Sequence, residues 1–129
     1  MSEQPIHLID DVMTVGVPVS DQDRALAFYR DTLGFRPVRD VPLPQFGGRW
    51  IEVAPPSGSV TIALVPTRPG LPLGVQTGIR FTTADASATH AELRSRDVEV
   101  DELLRWPGVP PMFAFRDQDG NRHEIVEGS

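Results

Sequence analysis

The sequence predicts an α+β fold built from two β-α-β-β-β halves. Hydrophobic periodicity switches from two to about 3.6 residues and back again, twice along the chain. An aspartate opens each helical stretch, Asp21 in the first half and Asp85 in the second. A proline-rich segment at 67–75, "TRPGLPLGV", stands between the halves.

The first strand is "VMTVGVPVS" (12–20), with Val15, Val17 and Val19 on one face and Thr14, Gly16 and Pro18 on the other. "SDQDRALAFYRDTLGF" then turns helical. Ser20 with Asp23 gives a capping-box-like start, Ala25, Leu26, Tyr29 and Leu33 form the apolar stripe, and Gly34 is placed to end it. "FRPVRDV" (35–41), "RWIEVAP" (49–55) and "SVTIALVP" (59–66) read as three strands. The second half repeats the order. "QTGIRFTTAD" puts Ile79 and Phe81 on one face and Gly78, Arg80 and Thr82 on the other. "ASATHAELRSRD" is helical, and "VEVDELLR", "PMFAFRD" and "RHEIVE" are strands, with "WPGVPP" (106–111) as a loop. The expected organisation is one domain over 1–129, with modules at 12–66 and 76–127 and the linker at 67–75. Overlaying the halves sets Asp21 over Asp85 and Tyr29 over Leu93 at an offset of 64, and Ile51 and Val53 over Phe113 and Phe115 at 62.

Composition excludes several function classes. A net charge of -6 with no lysine argues against a phosphate-backbone partner. The absence of cysteine removes disulfide and thiolate chemistry. The start "MSEQPIHLIDDVM" has neither the basic start nor the apolar run of a signal peptide, and nothing approaches the ~20 apolar residues of a membrane span. A cytoplasmic protein is the expectation.

The end of the chain, "FRDQDGNRHEIVEG", poses the sharpest question. Asp119-Gly120-Asn121 reads as a tight turn, so the following strand places Glu124 with Val126 on one face and His123 with Ile125 on the other. A carboxylate on a half-buried face is a ligand, a paired charge or an edge residue in water.

With "VPVSDQDRALAFYRDTLGFR", "GGRWIEVAPP" and "FRDQDGNRHEIVE", the chain resembles the vicinal oxygen chelate superfamily of glyoxalase I, bleomycin-resistance proteins and ring-cleaving dioxygenases. Gln118 stands where that family's D-P-D-G-N-x-x-E ending usually has Pro. The resemblance implies paired βαβββ modules whose mixed sheets curl around a cleft, with the helices on the outer face. It also implies four metal-ligand positions, here Thr14, Ile62, Gly78 and Glu124. Only Glu124 is a ligand of the usual type, and one carboxylate does not hold a divalent ion. Neither a metal nor another cofactor is expected. His7, His90 and His123 read as surface or satisfied core histidines.

If Glu124 faces the cleft, alternation brings Thr14, Gly16, Trp50, Glu52, Ile62, Leu64, Gly78, Arg80 and Thr82 there with it, a largely apolar small-molecule site. Trp50 either stacks on a flat ligand or fills the core. Arg80 pairs with Glu124 or Glu52, or meets a ligand carboxylate. Two function classes follow. One is a metal-independent binding protein of the bleomycin-resistance type that sequesters a drug or metabolite. The other is a lyase or isomerase using Glu124 as base or as a residual metal ligand. No nucleophile–base pair or phosphate loop supports a specific reaction, so binding is favoured. The resemblance further implies a homodimer, with clefts completed across a two-fold interface.

Overall fold

The computed structural model describes residues 6–128. The elements run β1 (Thr14–Val19), α1 (Gln22–Ala27), β2 (Arg36–Leu43), β3 (Gly48–Ala54), β4 (Thr61–Pro66), β5 (Gln76–Thr83), α2 (Ala86–Ser95), β6 (Glu99–Val100), β7 (Met112–Arg116) and β8 (Arg122–Glu127). They form two four-stranded mixed sheets, ordered β1-β4-β3-β2 and β5-β8-β7-β6. In each sheet the first strand pairs in parallel with the last, and the remaining pairs are antiparallel. Among the described residues no helix is long and apolar enough to cross a membrane.

Both helices start on an aspartate in extended conformation. Asp21 accepts a hydrogen bond from the Arg24 N–H, and Asp85 accepts one from the Ala88 N–H, which satisfies amides that a helix start leaves unpaired. α1 then widens into a π-helical turn over Phe28–Thr32, where the Leu33 N–H reaches the Phe28 carbonyl at 3.0 Å. Gly34 follows at φ 80°, which only glycine adopts without strain, and ends the helix.

The core lies between each sheet and its helix. In the first module Val17, Val19, Ile51, Val53, Ile62 and Leu64 pack against Ala25, Leu26 and Tyr29. In the second, Phe113, Phe115 and Ile125 pack against Ala86, Leu93 and Val98. Phe28, Leu33 and Phe81 touch both clusters, so the two cores are continuous. Burying each of the larger side chains contributes roughly 1.5–3 kcal/mol.

Two expectations require correction. Ile62 and Leu64 do not face the concave side. In the parallel ladder Ile62 pairs with Val15 and Leu64 with Val17, so both share the helix-facing side of the sheet and are almost fully buried. The concave residues of β4 are Thr61, Ala63 and Val65. The strand expected over "VEVDELLR" shrinks to Glu99–Val100, with Leu104 making only an isolated bridge to Met112.

Strand pairing also fixes which positions of the two modules are equivalent. Gly16–Ala63–Glu52 in the first sheet matches Arg80–Glu124–Ala114 in the second. The counterpart of Glu124 is therefore Ala63, and Ile62 is the counterpart of His123.

Candidate functional site

On the concave face of the first sheet, alternation along β3 sets Trp50 and Glu52 side by side. The Trp50 indole N–H donates to Glu52 Oε2 at 2.6 Å, and the Thr61 hydroxyl donates to Glu52 Oε1 at 2.7 Å. Burial would raise the Glu52 pKa, but these two donors and the charge of Arg39 outweigh it and hold the carboxyl below its ordinary value. Glu52 is thus a buried, ionised anchor that fixes the indole. The Trp50 ring stays half-buried and packs edge-on against Phe46 with centroids 5.6 Å apart. Thr14 lies at the strand start, and its hydroxyl donates to the Thr61 carbonyl.

The concave face of the second sheet is charged. Arg80 on β5 and Arg122 on β8 flank the Glu124 carboxylate, each at 3.7 Å. The row continues across the sheet, with Asp101 taking Arg122 at 3.6 Å and Arg116 at 2.8 Å, and Glu99 taking Arg116 at 3.1 Å. Arg80 is 70% exposed and so keeps most of its donors in water. Thr82, on the same face, is also exposed. Among the described residues no hydrogen bond or ion pair joins Trp50, Glu52 and Thr14 to Arg80, Thr82 and Glu124. Within one chain the expected site is two separate faces.

A family model for the Glyoxalase/Bleomycin resistance protein/Dioxygenase superfamily matches residues 9–125. The chain belongs to this superfamily. It is similar to TnmS3, an antibiotic binding protein from Streptomyces sp. CB03234, at 35% identity and a TM-score of 0.85, covering 96% of this chain and 100% of that one. A superfamily member from Sphaerobacter thermophilus DSM 20745 is 33% identical with a TM-score of 0.85, over 95% of this chain and 100% of that chain. YetH of Bacillus subtilis (strain 168) is 27% identical over 88% of this chain and 95% of its own.

The superfamily's metal positions can now be tested against the fold. With the register corrected they hold Thr14, Ala63, Gly78 and Glu124, which together offer one carboxylate, one hydroxyl and no imidazole. Among the described residues no three His, Cys, Asp or Glu side chains come together as a metal site. This donor set does not fit a divalent ion.

The histidines lie elsewhere. His7 sits in the exposed N-terminal arm, and His90 packs edge-on against Phe113 with a ring nitrogen 2.9 Å from the Asp101 carbonyl. His123 is fully buried between the modules, in a network that inspection of the sequence missed. The Tyr29 hydroxyl donates to Asp117 Oδ2 at 2.7 Å, which leaves His123 Nε2 as the donor to the Tyr29 oxygen, also at 2.7 Å. The Thr77 hydroxyl lies 2.8 Å from His123 Nδ1 and 2.9 Å from the Arg122 carbonyl. Asn121 donates to Asp117 Oδ2 and to the Pro18 carbonyl of the first module. Burial pushes the His123 pKa down to about 4, against the opposing pull of Asp117. Burial, then the charge and hydrogen bond of Asp117, raise the Tyr29 pKa, so its hydroxyl stays a donor.

At the other end of the module contact a cavity of ≈ 670 Å³ opens. It takes in Ile62, Arg80 and Thr82 from the expected site, and none of Trp50, Glu52, Thr14, Leu64 or Glu124.

Proposed function

We propose that the chain is a metal-independent small-molecule binding protein of the glyoxalase/bleomycin-resistance type, sequestering a drug or metabolite in a cleft that a second copy of the chain completes. One observation carries the reading. The concave faces hold polar groups already arranged for recognition, Glu52 beneath Trp50 and Glu124 beside Arg80, while three of the superfamily's four metal positions hold Thr14, Ala63 and Gly78. Glu52 satisfies the indole N–H, so Trp50 offers its apolar ring at little cost in ordering. Arg80 and Glu124 supply an exposed donor and an acceptor. The similarity to an antibiotic binding protein at 35% identity supports the same class of activity.

Homodimerisation belongs to this reading. Trp50 and Arg80 lie on faces that one chain does not join, and a two-fold axis can set the first module of one copy against the second module of the other. The N-terminal arm adds apolar surface for such a contact, since Ile6, Leu8 and Ile9 are 84%, 86% and 85% exposed.

A thermal-shift screen of antibiotics and metabolites tests the proposal, because a ligand that binds the native state raises its melting temperature. Hits should shift the wild type and lose affinity in Trp50→Ala, by about 1–3 kcal/mol where the ring is well covered. Hits that shift wild type, Trp50→Ala and Arg80→Ala equally would move the site elsewhere. Turnover of a hit that disappears in Glu124→Gln would replace the binding reading with the enzymatic one.

A further inference from the structure

The two ends of the contact between the modules are built from equivalent positions. At one end stand Tyr29, Asp117, Asn121 and His123, all buried and mutually hydrogen-bonded. Strand pairing and the matched helix starts make Leu93, Pro55, Val60 and Ile62 their counterparts. All four of these line the ≈ 670 Å³ cavity. Where the first set interlocks through polar tips, the second consists of shorter apolar side chains that cannot reach across. We propose that this open junction is a second binding site, reaching the concave side at Arg80 and Thr82 but separate from the Trp50–Glu52 face, for an uncharged and largely apolar small molecule.

The chemistry of the walls defines that class. Leu93, Phe81, Phe115 and Ile125 belong to or pack on the second core, and Ile62 belongs to the first, so an occupant would join two hydrophobic clusters. The volume falls within the range of drug-sized sites, about 300–1,000 Å³. Polar groups gather along the β5 edge and the start of α2: Thr82, and Thr83 with its hydroxyl 2.6 Å from that of Thr89. These are neutral hydroxyls, suited to a carbonyl or hydroxyl of the ligand. Arg80 is the only ionisable side chain in the lining, and its guanidinium already faces Glu124 on the concave side. A charged ligand buried against Leu93, Phe81 and Ile125 would find no counter-charge there, since Arg80 stays on the solvent-exposed side of β5.

The mouth is held open by its own loop. Pro55 and Pro56 restrict the turn after β3, the Gly58 N–H donates to the Pro55 carbonyl at 3.0 Å, and Arg36 donates to the Gly58 carbonyl at 3.0 Å. A loop braced in this way resists collapsing into the cavity.

The test uses the full chain and N-phenyl-1-naphthylamine, an uncharged apolar fluorophore, with the anionic 1-anilinonaphthalene-8-sulfonate as the contrasting probe. The neutral probe should bind one per chain with a blue-shifted, enhanced emission. Val60→Trp and Leu93→Trp, which fill the cavity from its mouth and its floor, should each weaken binding at least tenfold. Val60 is 38% exposed, so Val60→Trp keeps the test open if Leu93→Trp does not fold. Trp50→Ala should leave the neutral probe's affinity unchanged, which separates this site from the concave one. No stoichiometric binding, binding unaffected by the filling variants, or tighter binding of the anion would each overturn the proposal. Loss of binding in Trp50→Ala alone would place the probe on the concave face, ending this inference while leaving the proposed function standing.

Discussion

At the Tyr29 end of the module contact, a carboxylate, an amide, an imidazole and a phenol close the gap with hydrogen bonds of 2.7–3.0 Å. At the Leu93 end, the same backbone arrangement carries Leu, Pro, Val and Ile and leaves a cavity. Strand order and helix position do not differ between the ends, so topology does not decide which one closes. Side-chain reach and polarity decide it. A buried polar cluster demands complete pairing and so specifies one geometry, whereas apolar counterparts accept a gap if the gap reaches solvent or a ligand. The two halves of the chain share a fold, and their chemistry is set position by position.

The largest expected effect breaks the closed end. Asp117 accepts from the Tyr29 hydroxyl, the Asp119 and Asn121 amides and the Asn121 side chain. Asp117→Ala leaves several of these donors buried and unpaired, and should cost about 3–5 kcal/mol in urea unfolding. Its counterpart Pro55→Ala should cost under about 1 kcal/mol, because Pro55 accepts no side-chain hydrogen bond at the open end. Equal losses would remove the contrast between the two ends.

Tyr29→Phe makes a finer cut, deleting one hydroxyl and keeping the ring. About 1–3 kcal/mol should be lost in the same assay. The closed end should also respond to pH. His123 has its pKa depressed from 6.5 to about 4 in the folded state, so below pH 6.5 the unfolded chain binds a proton that the folded chain refuses. Stability should therefore decline as pH falls from 6.5 toward 4, by up to roughly 1.4 kcal/mol per pH unit. Denaturation measured across that window should show this slope in the wild type and not in His123→Gln. The smallest effect falls on the concave face. Arg80 is 70% exposed and 3.7 Å from Glu124, so Arg80→Ala should change stability by no more than about 0.5 kcal/mol, as for other surface pairs. That outcome would leave its guanidinium free for ligand recognition.

The fold was most legible where a strand is buried on one side only, as β5 and β8 are. Val15, Val17 and Val19 face the helix, and Ile79 and Phe81 turn inward while Arg80 and Thr82 turn outward, as alternation requires. β4 was not legible in this way. Thr61 through Val65 are all buried, so the strand carries no period of two, and the 62-residue offset between the halves places its faces one residue out. That slip sent Ile62 and Leu64 to the wrong side. On β3, by contrast, alternation sets Trp50 and Glu52 on one face, and the hydrogen bond between them agrees. The closed junction lay beyond sequence reading altogether. Tyr29 and His123 are 94 residues apart, and nothing local to either announces the other. The Asp119-Gly120-Asn121 turn was visible, but not that the Asn121 amide would reach across to Pro18.

The proposal that this chain binds its ligand without a metal rests on the superfamily's ligand positions, which hold Thr14, Ala63, Gly78 and Glu124. Calorimetric titration of the full chain with Zn²⁺, Ni²⁺, Mn²⁺ and Fe²⁺ tests it most directly. The account predicts no stoichiometric site of submicromolar affinity for any of the four ions. One ion per chain bound at submicromolar affinity, and lost in Glu124→Gln, would contradict it.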